Sequence, residues 1–218
     1  MFRVVRQLLH NVCLISFVAF ASNLQLLNIP DTHEVHFFNG GATLQFAAVP
    51  LNLMGGENEG KAANYLMSGH WSEKARNEAM QFGTINEVAK DPAGLYFSVP
   101  PSAEWNTDRD GAYFHYTSAD TRQGLEIRDF EFDAIPEVMP LVCDASANLG
   151  SFNMDIAKHD VIYSASHKNF SCSGICYAII RKDLITRKNQ MKVRERKEYG
   201  WGTDSLRIFQ ADDTNTHT

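Results

Sequence analysis

The stretch Val161-Ile-Tyr-Ser-Ala-Ser-His-Lys168-Asn-Phe-Ser-Cys-Ser-Gly174 decides how this chain is interpreted. It opens with an apolar run typical of a buried strand and closes on Ser173-Gly174, a turn signal. A second apolar run, Ile175 to Ile180, follows directly. A lysine between two buried strands is unusual because an ammonium group is costly to desolvate. Lys168 is therefore either part of an exposed hairpin turn or an amine that loses its proton to attack a carbonyl group.

A second short apolar run, upstream of this lysine, ends in a carboxylate. Pro140-Leu-Val-Cys-Asp144 has the pattern of a strand, and Asp144 precedes Lys168 by 24 residues. That spacing fits a strand, a connection and the next strand. Enzymes that use pyridoxal phosphate need such a pair, a lysine that holds the aldehyde and an aspartate that keeps the pyridine nitrogen protonated. An aspartate at a strand end is common in α/β proteins, so the pairing is more specific than either residue.

The composition is that of an ordinary globular protein. The length of 218 residues is enough for one sizeable domain, or one and a half. Of these residues, 44% are hydrophobic and 21% are charged. The formal net charge of −6 argues against a general nucleic-acid binder. The eight histidines follow no metal-ligand spacing and the four cysteines form no CxxC pair. We therefore expect no metal site, and cysteines that are buried in a reducing compartment.

The two ends of the chain differ in character from the middle. Residues 1–23 combine Arg3 and Arg6 with an apolar stretch and an Ala19-Phe20-Ala21 end, which is the pattern of a secretory signal peptide. An export signal, a core helix and residues foreign to the parent fold are the alternatives. Residues 186–218 begin with a basic run and become polar, which is more typical of a solvated face than of nucleic-acid binding.

Strands alternate with helical or connecting segments from residue 34 to 181, which predicts an α/β fold with mainly parallel strands. Glu34–Phe38 reads as a strand and Leu44–Met54 as a helix, with a glycine-rich turn between them. Glycine permits unusual backbone angles there, and free N–H groups near Ala42 and Thr43 would point at an anion. An ordinary turn between a strand and a helix is the alternative.

Two further candidates lie in loops that follow strands. Trp71 stands between a predicted strand at 62–69 and a predicted amphipathic helix at 73–82, which Ser72 could cap. Trp71 could stack on a flat aromatic ligand or plug the core edge. Thr121 lies in a hydroxyl-rich loop that could hold a ligand oxygen or satisfy the turn. We expect the candidates to converge, because such sheets bind ligands at the edge where these loops gather.

Four stretches of the chain resemble the phosphoserine aminotransferases, pyridoxal phosphate enzymes of fold type I. They are Gly40-Gly-Ala-Thr-Leu-Gln-Phe-Ala-Ala-Val-Pro-Leu-Asn-Leu53, residues 63–75, residues 113–126, and Cys143-Asp-Ala-Ser-Ala-Asn148 with Ser166-His-Lys-Asn169. The resemblance implies that residues 24–185 form the cofactor-binding large domain, a mainly parallel mixed sheet flanked by helices. Residues 1–23 and 186–218 lie outside it, and the small C-terminal domain of the family has no counterpart.

The resemblance also implies a role for each candidate. Lys168 would hold pyridoxal 5′-phosphate covalently and move a proton at the substrate Cα. Asp144 would pair with the pyridine nitrogen, and Trp71 would stack on the ring. The other implied cofactor contacts are the backbone N–H groups of Ala42 and Thr43 to the phosphate, Thr121, and His167. The reaction would be amino transfer between glutamate and 3-phosphohydroxypyruvate, giving 2-oxoglutarate and O-phosphoserine in serine biosynthesis, by a cytoplasmic homodimer.

The chain departs from the family pattern in several places. His167 stands where the family usually has Gln, and Ala119-Asp120-Thr121 stands for Asn-Glu-Thr. The family's N-terminal arginine, which binds substrate carboxylate, and its Asn-Thr pair from a second subunit have no counterpart. Because pyridoxal phosphate metabolism is cytosolic, we favour a foreign segment over an export signal at residues 1–23. Two alternative functions stay open, a related enzyme such as a cysteine desulfurase and a non-catalytic homologue that acts as a binding partner.

Overall fold

The computed structural model describes residues 26–91, 93–170 and 173–186, and they form an α/β fold. The strands in these ranges are β1 (His33–Asn39), β2 (Ala63–Leu66), β3 (Ile85–Ala89), β4 (Phe114–Thr117), β5 (Ala119–Asp120), β6 (Leu125–Glu126), β7 (Leu141–Asp144), β8 (Val161–Ala165) and β9 (Ile175–Arg181). The α-helices there are α1 (Thr43–Leu53), α2 (His70–Ala79) and α3 (Lys182–Thr186). None of these helices has the length and apolar content of a membrane span. The predicted signal-like segment and the basic run after residue 186 lie outside the described residues.

Seven of the strands form one sheet in the order β1-β9-β8-β7-β4-β2-β3. From β8 to β3 every neighbouring pair is parallel. Strand β9 runs antiparallel to both β8 and β1, so β1 points in the same direction as β8. The carboxyl ends of β1, β8, β7, β4, β2 and β3 therefore lie at one edge. This topology confirms the predicted α/β fold with a mainly parallel sheet.

The sheet is buried on both faces, which is why its strands read as continuous apolar runs. Alternate residues of each strand face opposite sides. Along β8, for example, Ile162 packs into one core cluster, whereas Val161 and Tyr163 pack into the other. The second cluster also receives Phe46 and Val49 of α1, which lie one helical turn apart on the buried face. Burial of one such large apolar side chain contributes about 1.5–3 kcal/mol.

Helix α2 begins earlier than the sequence indicates. The predicted span was 73–82, but the helix runs from His70 to Ala79, and its N-cap is Gly69 rather than Ser72. Gly69 has φ +147°, which few other residues adopt, so the chain turns into the helix there. Ser72 lies in the first turn, where its Oγ accepts the N–H groups of Ser68 and Gly69 at 2.9 and 3.0 Å. Ser72 is therefore not the N-cap residue, although its hydroxyl accepts the N–H of the N-cap residue, and Trp71 belongs to the helix.

The region predicted as a hydroxyl-rich loop contains a small second sheet. Strands β5 and β6 pair antiparallel and are joined by a turn at residues 121–124. The predicted burial is confirmed for the two cysteines within the described ranges, because Cys143 and Cys176 are both fully buried, and both are free. The other two, Cys13 and Cys172, lie outside those ranges.

Two buried histidines should make the fold sensitive to acid. His115 lies 2.8 Å from the hydroxyl of Tyr163, and burial lowers its pKa to about 3. His159 lies 2.7 Å from the hydroxyl of Tyr116, and burial lowers its pKa to about 4. Both pKa values are below the ordinary value of about 6.5. The unfolded chain therefore binds more protons than the folded chain in this window, and the stability contribution falls as the pH falls from about 6.5 to about 4.

The test is urea unfolding followed between pH 7 and pH 4 for the wild-type chain and for His115→Gln. We expect His115→Gln to be less stable at pH 7, because the Tyr163 contact is altered, but to lose less stability on acidification. The difference between the two slopes of unfolding free energy against pH separates the effect of His115 from that of carboxylates that titrate in a similar pH range. Identical slopes in the two proteins would contradict the assignment of a neutral, buried His115.

Candidate active site

The loops that follow the parallel strands gather at one edge of the sheet. The turn after β1 leads into α1, the turn after β2 leads into α2, and Asp144 ends β7. The connection between β8 and β9 carries Lys168. The N–H of Gly40 donates to the carbonyl of Gly174 at 2.9 Å, so the first turn is tied to the end of the lysine loop.

Lys168, Thr121 and Trp71 contact one another at this edge. The Lys168 Nζ is 3.5 Å from the Thr121 Oγ1 and 5.7 Å from the centroid of the Trp71 ring. The indole N–H of Trp71 donates to the same hydroxyl at 3.3 Å. A primary amine, a hydroxyl and a half-buried indole thus form one cluster from three separate segments of the chain.

Lys168 lies in an exposed loop between two buried strands. Strands β8 and β9 are buried, but residues 167–169 are exposed because the hairpin loop projects beyond the sheet edge. Lys168 therefore does lie in an exposed hairpin, which was one of the two alternatives. Its contacts with Trp71 and Thr121 distinguish it from an ordinary turn lysine. The neighbouring His167 is also exposed.

Asp144 is a buried carboxylate with only 3% of its surface exposed. Its Oδ1 accepts the N–H of Ser146 at 3.0 Å. Burial raises the pKa of Asp144, whereas hydrogen bonds from Ser146 and the charge of Lys168 lower it, and the charge of Asp120 raises it. A carboxylate that burial destabilises gains from a nearby cation.

The turn at the start of α1 offers backbone donors. Gly40 has φ +102°, Ala42 is the N-cap residue, and the helix begins at Thr43. The first four N–H groups of a helix have no acceptor within the helix, and they carry the positive end of its dipole. Ala42 is half-buried and Thr43 is exposed, so their N–H groups lie near the surface of the same edge.

Several functional contacts were not anticipated from the sequence. Asp120 accepts the backbone N–H of Trp71 at 2.7 Å, and its only sequence signal was its place in a degraded motif. Ser118 donates to Asn148 at 2.6 Å, and Asn148 donates to Glu126 at 3.0 Å, which fixes the turn after Asp144. A further contact is that of Lys74, whose Nζ lies 5.2 Å from the centroid of the Trp71 ring. Lys74 follows Trp71 by three residues in the helix, and this spacing could have predicted the contact.

These residues suit a planar, anionic cofactor that bears an aldehyde. Lys168 supplies an accessible amine, and Trp71 supplies an aromatic face beside it. Asp144 is a buried carboxylate that would stabilise a protonated ring nitrogen. Within the described residues, the buried Thr117 Oγ1, which neighbours Asp144 in the β4–β7 pairing, has no hydrogen-bond partner. The polar groups present therefore match the groups of pyridoxal phosphate.

A lysine, an aspartate and a tryptophan at the carboxyl edge of this sheet define the large domain of a fold-type-I pyridoxal phosphate transferase. Residues 22–195 match the family model described as aminotransferase class-V, and the chain belongs to this family.

Similar curated proteins share the name phosphoserine aminotransferase. The one from Azotobacter vinelandii is 42% identical over 164 residues, which cover 74% of this chain and 43% of that protein. The one from Ruthia magnifica is 39% identical over 175 residues, which cover 78% of this chain and 46% of that protein. The chain thus spans less than half the length of these curated relatives.

Solved structures of phosphoserine aminotransferases resemble this fold as well. Phosphoserine aminotransferase from Bacillus circulans subsp. alkalophilus superposes with a TM-score of 0.68 at 32% identity, covering 79% of this chain and 47% of that one. The pyridoxal-phosphate-bound enzyme from Trichomonas vaginalis superposes with a TM-score of 0.67 at 35% identity, covering 80% and 48%. The fold-type-I prediction is confirmed by these likenesses.

Replacing Asp144 with Asn should stabilise the ligand-free chain near neutral pH. The pKa of Asp144 in the folded chain lies above its unfolded value, so the folded chain binds more protons in that window. Its stability contribution therefore falls as the pH rises through the window, by about 1.4 kcal/mol for each pKa unit. Asp144→Asn removes this loss and keeps an oxygen for the Ser146 N–H. Thermal unfolding across pH 4 to 8 measures the difference.

The control is Asp91→Asn. Asp91 accepts the N–H groups of Ala93, Leu95 and Tyr96, and these hydrogen bonds lower its pKa. Folding therefore stabilises its ionised form, so this variant should be less stable than the wild type at neutral pH. If Asp144→Asn loses as much stability as the control, the ionised Asp144 does not destabilise the ligand-free fold, and the prediction is wrong.

Proposed function

We propose that this chain is the cofactor-binding part of a pyridoxal-phosphate-dependent transaminase. The reaction is amino transfer between glutamate and 3-phosphohydroxypyruvate, which gives O-phosphoserine and 2-oxoglutarate in serine biosynthesis. The observation that carries the proposal is the contact of Lys168 with Trp71 and Thr121 beside the buried Asp144. The choice of substrates is supported by relatives named phosphoserine aminotransferase at 42% and 39% identity.

Each side chain of the cluster has a distinct task in this proposal. Pyridoxal phosphate, when bound, supplies the electron sink for chemistry at the substrate Cα. Lys168 would hold the cofactor through its amine, and its Nζ would carry a proton to or from the substrate Cα. Asp144 keeps the ring nitrogen protonated, since its buried carboxylate gains from a cationic partner. Trp71 orients the ring by offering one indole face.

Thr121 orients both of these groups. Its Oγ1 accepts a hydrogen bond from the Trp71 indole N–H and lies within reach of the Lys168 ammonium. A hydroxyl that accepts from two donors still has its own O–H to donate. Thr121 is exposed toward the site, so that O–H is available to an oxygen of the cofactor. The phosphate would be bound by the N–H groups of Ala42 and Thr43, and His167 would lie beside the ring.

The cysteine desulfurase alternative is less well supported. A desulfurase needs a mobile, exposed cysteine, and burial raises the pKa of both Cys143 and Cys176 to about 12. Such thiols stay protonated and unreactive. The other two cysteines lie outside the described residues.

A cytoplasmic homodimer is part of the proposal. Several large apolar side chains stand exposed, among them Phe97 at 82% and Val138 at 88%. Exposed apolar surface of this kind is usually covered in an assembly, here by a second copy or by further parts of a longer chain. The free Cys143 and Cys176 favour a reducing compartment. Nucleic acid and metal ions are not among the proposed partners.

The decisive experiment is a titration of the chain with pyridoxal phosphate. We expect an absorbance band at about 400 nm, and after borohydride reduction a cofactor adduct on the peptide that contains Lys168. Lys168→Ala should show neither, and its rate of 2-oxoglutarate formation from glutamate should fall at least about 10²-fold. Lys158→Ala is the control, because Lys158 packs over Phe132 with its Nζ 4.7 Å from the ring centroid.

The outcome also separates the alternatives. Sulfide release from cysteine without 2-oxoglutarate formation from glutamate would favour a desulfurase. A folded wild-type chain that acquires no adduct at Lys168 would overturn the proposal and favour a non-catalytic homologue.

A further inference from the structure

A buried carboxylate, Asp120, joins the two segments that carry the aromatic and hydroxyl groups of the site. Only 1% of its surface is exposed. Its Oδ2 accepts the backbone N–H of Trp71 at 2.7 Å, and its Oδ1 accepts the N–H of Arg122 at 3.0 Å. We propose that Asp120 is a positioning residue that fixes the Trp71 indole and the Thr121 hydroxyl in one arrangement toward the cofactor.

The two hydrogen bonds act on the residues that flank the functional groups. Trp71 is held by its own backbone in the first turn of α2, where its N–H has no acceptor within the helix. Thr121 lies between Asp120 and Arg122, so the second hydrogen bond closes the turn around it. Since both bonds end on one carboxylate, the backbone segments that carry the indole and the hydroxyl cannot separate without breaking a charge-assisted hydrogen bond.

Further contacts between the same two segments reinforce the arrangement. The N–H of His70 lies 3.3 Å from the Gln123 Oε1, and the Arg122 Nη1 lies 3.2 and 3.4 Å from the two ring nitrogens of His70. Gly69 permits this approach, because a Cβ there would lie 2.6 Å from the Asp120 Oδ2 and 2.7 Å from the Gln123 Oε1. We call the contacts of residues 120–123 with residues 69–71 the hairpin clamp.

The charge of Asp120 adds a second effect. Asp120 and Asp144 are both buried, and the negative charge of Asp120 raises the pKa of Asp144. The charge of Lys168 acts on Asp144 in the opposite direction. A cation bound between these groups relieves the repulsion of the two carboxylates. The positioning role rests on the proposed function, because the cofactor that it serves is pyridoxal phosphate.

The test compares Asp120→Asn with the wild-type chain. Asn has nearly the same shape, but its amide can accept only one of the two N–H groups and presents a donor to the other. The Trp71 emission is obtained by subtracting the spectrum of Trp71→Phe in each background. Without cofactor, we expect acrylamide to quench this emission more strongly in Asp120→Asn than in the wild type. With cofactor, we expect the Kd for pyridoxal phosphate to rise about tenfold and the pH midpoint of the bound absorbance band to shift.

The control is Asp160→Asn, which removes another buried carboxylate that accepts a backbone N–H. It should leave the Trp71 emission and the Kd unchanged. If Asp120→Asn does not fold, Gln123→Ala loosens the hairpin clamp from an exposed position and should give smaller changes in the same direction.

The outcomes separate the two proposals. If acrylamide quenches the Trp71 emission equally in the wild type and in Asp120→Asn (or Gln123→Ala, where that variant is used), the positioning role is overturned, whether or not cofactor binds. An altered emission together with an unchanged Kd also overturns it, because the arrangement would then not serve the cofactor. If the wild-type chain binds no pyridoxal phosphate, the proposed function fails, and the emission alone decides whether Asp120 positions Trp71.

Discussion

The parallel register of β4, β7 and β8 is the constraint on which the site depends. Asp144 pairs with Thr117 on one side and with Tyr163 on the other, so its position along the sheet is fixed from both neighbours. A slip of one residue in β7 would turn its side chain to the opposite face. The same register sets where β8 ends and therefore where the loop with Lys168 begins. The acid and the amine are thus placed by backbone pairing before any side-chain contact is made.

Buried polar groups at this edge are expensive, and the structure offsets their cost locally. Asp120 accepts two backbone N–H groups, whereas the described hydrogen bond to the Asp144 carboxylate comes from Ser146. The backbone hydrogen bonds thus stabilise the Asp120 carboxylate, whereas the Asp144 carboxylate depends more on the charge of Lys168. Polar groups that lack full compensation tend to occur where a ligand completes them. The contrast between the two carboxylates is a physical reason to assign one to positioning and the other to binding.

The sequence predicted the elements well where their signals are local. The runs at 141–144, 161–165 and 175–181 are apolar because the sheet is covered on both faces, and each forms a strand. The start of α2 was misplaced because its first turn is held by Asp120, which is 49 residues away from Trp71 in the chain. The exposure of Lys168 could not be decided from the sequence, because flanking apolar runs report on the strands and not on the loop between them. Such long-range and surface effects have no signal in a local pattern.

The pairing of β1 with β9 has a consequence for how the chain assembles. His33 pairs with Arg181, so the edge of the sheet joins segments from opposite ends of the described region. Contacts between such distant segments close slowly, because a long loop must lose its entropy first. On the ribosome, the glycine turn after β1 emerges early, but it cannot meet the end of the lysine loop until β9 has been synthesised. The turn between β1 and α1 is therefore completed late, at the moment when β9 docks.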